Sequence, residues 1–169
     1  MTYRSISEFL DYYGRIRHRT MQFAERIPPD RIEWSPPNSG AFSCGDTLRH
    51  VAGLERYMFV ENVLGRPSRY PGHTAALVSG HAAVMEYVIR LHHESLGLLS
   101  TVSDADLGLP CETPAGATLP RWKWLRAMVE HEVHHRGQLA LLLRLIGTPV
   151  RPMFGLTSEE VLARSVTGD

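Results

Sequence analysis

The run His131-Glu132-Val133-His134-His135 is where this sequence concentrates its chemistry. On a helix, residues four apart lie one turn apart on the same side, so His131 and His135 can aim their imidazoles at one metal ion. His134 offers a second pairing with His131 at a spacing of three. His135 is preferred because it falls on the apolar stripe that carries Met128, Leu139 and Leu142. Two histidines hold a transition metal weakly, and a third ligand must come from elsewhere in the chain. His50 suits that place: it lies early in a second helix, with Thr47, Leu54 and Tyr57 on its side, and an antiparallel neighbour would bring it opposite the pair. Three neutral imidazoles leave coordination positions open, the arrangement of a catalytic site rather than a closed structural one. Nitrogen donors suit zinc, nickel, copper, cobalt and iron, and ligand type alone does not choose among them; zinc or nickel is the working expectation.

Two other readings stand beside this one. A lone histidine on an apolar helix face is ordinarily a satisfied core residue. By that measure His81 and His92 read as core or pocket, His18 and His93 as solvated, and His73 as part of a loop. The five residues also match H-E-x-x-H, in which two histidines bind zinc and the glutamate is the general base of a peptidase. That pattern needs a third ligand downstream, and no His, Asp or Glu follows until Glu159 and Glu160. The peptidase reading is therefore set behind the three-histidine one.

The elements that must position these side chains read as helices. The first is predicted from about Ile6 to Ile27, with Ser5 and Glu8 as a capping box and Pro28-Pro29 as its stop. Its stripe of Ile6, Phe9, Tyr13, Ile16, Thr20, Phe23 and Ile27 has the three-and-four spacing of a packed helix. A second helix begins near Ser43 or Cys44, where Ser43 and Asp46 form a cap, and continues to Gly65. A third is expected from Ala75 or Gly80 to Val102. The segment from Ser103 to Leu119, with Pro110, Pro114 and Gly116, breaks the helical pattern and has room for a short extended piece. The fourth helix starts after Pro120 and ends at Gly147 and Pro149, and a tail helix is capped by Thr157 or Ser158. Four long amphipathic helices without an alternating strand pattern predict an all-α four-helix bundle with a short C-terminal helix, forming a single domain over residues 1–169.

Composition narrows the function classes. Eighteen basic and eighteen acidic residues balance, and no basic run marks any segment, which argues against a nucleic-acid partner. No stretch approaches the roughly 20 apolar residues of a membrane span, and the first residues lack the pattern of a secretory signal. Two separated cysteines, Cys44 and Cys111, suit a reducing compartment, so a cytoplasmic protein is expected.

The cluster with its continuation, HEVHHRGQLALLLR, resembles the DinB/YfiT-like superfamily of metal-dependent proteins. The histidine in FSCGDTLRHVAGLERYMF, the loop IEWSPPNSGAFS and the tail MFGLTSEEV strengthen the resemblance, which covers nearly the whole chain. The resemblance implies that His50, His131 and His135 hold a divalent transition metal at one end of the bundle and that the protein is a homodimer. It also matches Arg136, Gly137 and Gln138 to the residues after the last ligand; Gly137 inside a helix suggests close packing, and Gln138 reads first as an ordinary polar neighbour, with a ligand-orienting role as the alternative. Glu132 reads as a neighbour of the metal or a solvated residue, and Tyr57 and Met58 as the wall of a partly apolar pocket. Characterised relatives include thiol transferases using bacillithiol, mycothiol or glutathione, so the leading expectation is a transferase that activates a low-molecular-weight thiol against a small electrophile. A metal-dependent hydrolase using metal-bound water is the first alternative. A non-catalytic stress-response metal-binding protein is the second.

Overall fold

In the computed structural model, which describes residues 5–165, the chain is all-α apart from one small hairpin. Helix α1 spans Ile6–Ala24 and α2 spans Cys44–Leu54. The helical path of α2 continues without interruption through a π-helical segment, Glu55–Phe59, into α3, Val60–Val63. Helix α4 is His81–Leu99, and α5 is Arg121–Leu145. Between α4 and α5, strands β1 (Pro110–Glu112) and β2 (Thr118–Pro120) pair antiparallel, the extended piece anticipated before the last long helix. A short α6, Ser158–Arg164, closes the described chain and is capped by Thr157 with Glu160.

The start signals act as their chemistry requires. The Ser5 hydroxyl accepts from the Glu8 backbone N–H, and Ser43 and Asp46 form a reciprocal capping box, satisfying donors that the first helical turn leaves without partners. The ends differ from expectation. Helix α1 stops at Ala24 rather than Ile27, because the chain tightens into i→i+3 bonds (Arg26 N–H to Phe23 O, Ile27 N–H to Ala24 O) before Pro28, whose ring disfavours the α conformation in the residue ahead of it. Helix α4 begins after Gly80, whose positive φ of 88° turns the chain, and ends three residues before Val102.

Two apolar cores define the bundle. One gathers Phe9, Tyr13 and Ile16 of α1, Phe59, Val60 and Val63 of the second rod, Leu99 of α4, and Leu125, Met128 and Val129 of α5. The other gathers Phe23 and Ala24, Leu48 and Ala52, Val84, Val88 and Leu91, and Leu139, Leu142 and Leu143. Helices α1 and α5 run from the first core to the second, while α2–α3 and α4 run from the second to the first. The order is therefore up-down-down-up, with 64–80 as the long connection between the two parallel rods. Each long helix contributes buried polar residues to one layer between the cores: Arg17 and Thr20, Glu55, Ser95, and Glu132 and Arg136.

A buried arginine fixes the loops against this frame. Arg49 of α2 is 0% exposed, and all five of its N–H groups are used: Nε donates to His73 O, Nη1 to Glu33 Oε1 and Val78 O, and Nη2 to Glu33 Oε2 and Asp46 Oδ1. One side chain thereby pins the segment before α2 and the connection before α4 to the same helix. No helix among the described residues is long and apolar enough to cross a membrane.

Candidate metal centre

Helix α5 presents His131 and His135 from successive turns, and α2, antiparallel to it, presents His50 across from them. One ligand atom from each of the three lies within 4.8 Å of the other two. The imidazoles of His131 and His135 have centroids 4.5 Å apart, and those of His50 and His135 4.6 Å. His131 Nε2 and His50 Nε2 are 3.2 Å apart. Two metal–nitrogen bonds of about 2.0–2.1 Å meeting at roughly 100° span that separation, so the donor set fits a shared ion.

The outer hydrogen bonds of two imidazoles favour the same geometry. His135 Nδ1 lies 2.7 Å from Gln138 Oε1, a carbonyl that can only accept, so Nδ1 carries the proton and Nε2 keeps its lone pair. The Gln138 amide in turn reaches His134 Nε2 at 3.1 Å. His50 Nδ1 lies 2.9 Å from the Tyr70 hydroxyl, which is also 2.9 Å from His73 Nδ1. Burial, reinforced by the neighbouring imidazoles, pushes His50 down to about 4 and His131 to about 3, and desolvation also lowers His135. All three are neutral at pH 7, the form that donates to a metal.

Beneath the cluster lies the polar layer. The Arg17 guanidinium contacts a Glu55 carboxylate oxygen and sits 3.1 Å from Glu132 Oε2, and it donates to the Tyr13 hydroxyl at 3.2 Å. His92 Nδ1 is 2.9 Å from Glu55 Oε1. Glu132 is 1% exposed. A carboxylate held there by Arg17 is not poised as the base of an H-E-x-x-H peptidase, and the third imidazole near the pair comes from α2 rather than from downstream.

A cleft of about 380 Å³ opens beside His135, lined mainly by Phe42, Ala41, Leu141, Leu142 and Leu145, with Thr47 and Gln138 as its polar groups. The Phe42 ring lies 4.2 Å from that of His73 and 5.3 Å from that of His50. Tyr57 and Met58 do not line this cleft and pack against the two cores instead. The π-helical segment accounts for the difference. It inserts an i→i+5 turn, with the Val60 N–H bonded to Glu55 O, and so shifts the inward register after Leu54.

Several expectations are corrected by the geometry. The histidine cluster is not at one end of the bundle but part-way along α2 and α5, level with the polar layer. Gly137 is exposed, and a Cβ there would meet nothing within 4 Å, so no close packing explains it. His134 is exposed and lies outside the group of three, while His18 and His93 are exposed as anticipated. His73, read as a plain loop residue, sits against His50. Sequence reasoning also passed over Tyr70, Arg17 and Glu55. A tyrosine three residues before a histidine, in a loop anchored by Pro71 and Gly72, was the one available signal for Tyr70, and Arg17 beside the stripe residue Ile16 was the signal for the buried charge.

The profile of the DinB superfamily matches residues 12–139. Among curated proteins none matches this chain. Solved structures share the fold at low identity. A DinB-like protein from Bacillus cereus ATCC 10987 is 18% identical with a TM-score of 0.73, covering 89% of this chain and 98% of that one. YfiT from Bacillus subtilis, described as a probable metal-dependent hydrolase with an unusual four-helix bundle topology, is 15% identical with a TM-score of 0.66, covering 85% and 89%. The colibactin self-resistance protein ClbS, solved in complex with a dsDNA, is 12% identical with a TM-score of 0.63, covering 85% and 98%.

Proposed function

The chain belongs to the DinB superfamily, and on that premise we propose that it is a metal-dependent enzyme whose His50, His131 and His135 hold one divalent transition metal, zinc or nickel. The observation that carries this reading is the convergence of three neutral imidazoles within 4.8 Å. Such an ion supplies Lewis acidity, lowering the pKa of a bound water or thiol into the neutral range.

The favoured reaction is transfer of a low-molecular-weight thiol to a small electrophile. The C–S bond forms as the leaving group departs with its electron pair, and the thiol proton passes to solvent. The carboxylates nearest the cluster support a chemistry that needs no protein base: Glu132 and Glu55 are committed to Arg17, and Asp46 to Arg49. The cleft beside His135 has no charged side chain in its lining, which suits a neutral and largely apolar electrophile. Gln138 holds His135 in place, and the Phe42 ring packs beside the imidazoles of His50 and His73. The enzyme so proposed is a single-domain, cytoplasmic homodimer, and the even balance of charges gives no support to DNA as its partner.

The test mixes zinc- or nickel-loaded protein with glutathione, bacillithiol or mycothiol and monochlorobimane, and follows the fluorescent thioether. Turnover well above that of a His50→Ala control is expected, and turnover equal to the control overturns the transferase. Hydrolysis is the second reading, favoured by the description of the YfiT neighbour. It predicts p-nitrophenyl acetate turnover without thiol and lost in His131→Ala.

A further inference from the structure

We propose that Tyr70 is a positioning residue that locks His50 into the tautomer whose Nε2 faces His131 and His135. The inference rests on the metal-site reading above, but its first measurement is made without metal.

The chain of donors admits one direction if His50 is to offer Nε2. A neutral imidazole carries one proton, so His50 must hold it on Nδ1 and donate it to the Tyr70 oxygen, 2.9 Å away. The tyrosine hydroxyl has a single proton of its own, which then goes to His73 Nδ1, also 2.9 Å away. His73 completes the sequence by carrying its proton on Nε2. Without a hydroxyl at position 70, no hydrogen-bond partner among the described residues faces His50 Nδ1; the ring's other contact is at Nε2, 3.2 Å from His131 Nε2.

The surrounding structure is shaped to hold this tyrosine in place. Gly53 lies one turn beyond His50 on α2, and a Cβ there would stand 3.0 Å from Tyr70 Cε2, tight enough that the ring would have to give by a few tenths of an ångström. Gly72 turns the loop with a φ of 95°, a conformation that side-chain-bearing residues rarely adopt. Arg49 Nε holds the His73 carbonyl at 2.7 Å, tying the loop to the helix that bears His50. Notch, turn and anchor together set the hydroxyl between the two imidazoles. Outer hydrogen bonds of this kind orient metal-binding histidines generally, and losing one weakens metal affinity about 10–100-fold.

The experiment compares wild type with Tyr70→Phe, which keeps the ring and removes only the hydroxyl. Long-range ¹H–¹⁵N spectra of the metal-free proteins report which nitrogen of His50 carries the proton. The expected result is Nδ1–H in wild type and a shift towards Nε2–H in Tyr70→Phe, with zinc affinity, measured by chelator competition, falling about 10-fold or more. Gly53→Ala, which displaces the ring but keeps the hydroxyl, is expected to move the tautomer the same way. An unchanged His50 tautomer in Tyr70→Phe overturns the proposal, whatever happens to zinc. A tautomer shift in Tyr70→Phe together with a wild type that binds no zinc overturns the metal reading and leaves this one standing.

Discussion

The two apolar cores and the polar layer between them are equally buried but depend on different physics. In the cores, Leu99, Leu125 and Leu143 are 0% exposed and contribute by removal of apolar surface from water, which tolerates imperfect partners. In the layer, Arg17, Glu55 and Glu132 are 4%, 1% and 1% exposed, and each is costly to bury except beside the others. The cores make the bundle stable. The layer makes one arrangement of it correct, because Glu55, which meets Arg17 and His92, and Glu132, next in sequence to His131, find their partners in a single register.

The largest effect that would sharpen this contrast is removal of the shared cation. Arg17→Met leaves two buried carboxylates facing each other, and a loss of about 3–5 kcal/mol is expected in urea denaturation. Leu139→Ala, a cavity in the second core, serves as the reference at about 2–5 kcal/mol. The two differ in what repairs them. Adding Glu55→Leu and Glu132→Leu to Arg17→Met is expected to restore stability, because the unpaired charges go with their partner. A loss below about 1 kcal/mol in Arg17→Met alone would mean that the layer is hydrated and not a true interior.

Acid should separate the regions next. Folded His50 and His131 resist protonation down to about 4 and about 3, against 6.5 for a free imidazole. Between those values and 6.5 the unfolded chain binds more protons than the folded one, so stability rises with pH across that window. The metal-free protein is therefore expected to lose thermal stability progressively as pH falls from about 6.5 to about 4. Glu55 acts in the same direction at the lower end. Arg17, the largest of the attractions opposing its burial, holds its carboxyl below the usual range, and that contribution disappears as acid protonates it. A Tm that stays flat from pH 7 to 4.5 would show the imidazoles to be already solvated.

The same contrast explains what could be read from the sequence. The core stripes were legible because helix periodicity is local: Phe9, Tyr13, Ile16, Thr20 and Phe23 are buried at the spacing that announced them, and Met128, His135, Leu139 and Leu142 likewise. Capping boxes at Ser43 and Thr157 needed only neighbours three residues away. The place of His50 opposite His131 and His135 leaned on the family resemblance more than on the residues, since periodicity alone does not say which helices are neighbours. Tyr70, His73 and Arg17 were not legible, because their partners lie across the fold and depend on where Arg49 pins a loop. The π-helical segment was hidden for a different reason. It changes the period itself, so the stripe that placed Leu54 and Tyr57 beside His50 runs out of register one turn later.

The smallest expected effect lies on the outside of the same helix. Gly137 sits within α5, exposed, two residues after His135, and nothing lies within 4 Å of where its Cβ would be. Glycine in a helix interior costs about 1 kcal/mol relative to alanine, chiefly through the freedom it leaves the unfolded chain. Gly137→Ala should therefore raise stability by up to about 1 kcal/mol, with zinc affinity unchanged, since neither the cores nor the polar layer is touched. Thermal melts at several protein concentrations make the result more informative. A concentration-independent gain places this face of α5 in solvent. A loss that grows with dilution places it against a second copy of the chain, and the glycine would then be explained by that contact, with the homodimer interface located two residues from the candidate metal centre.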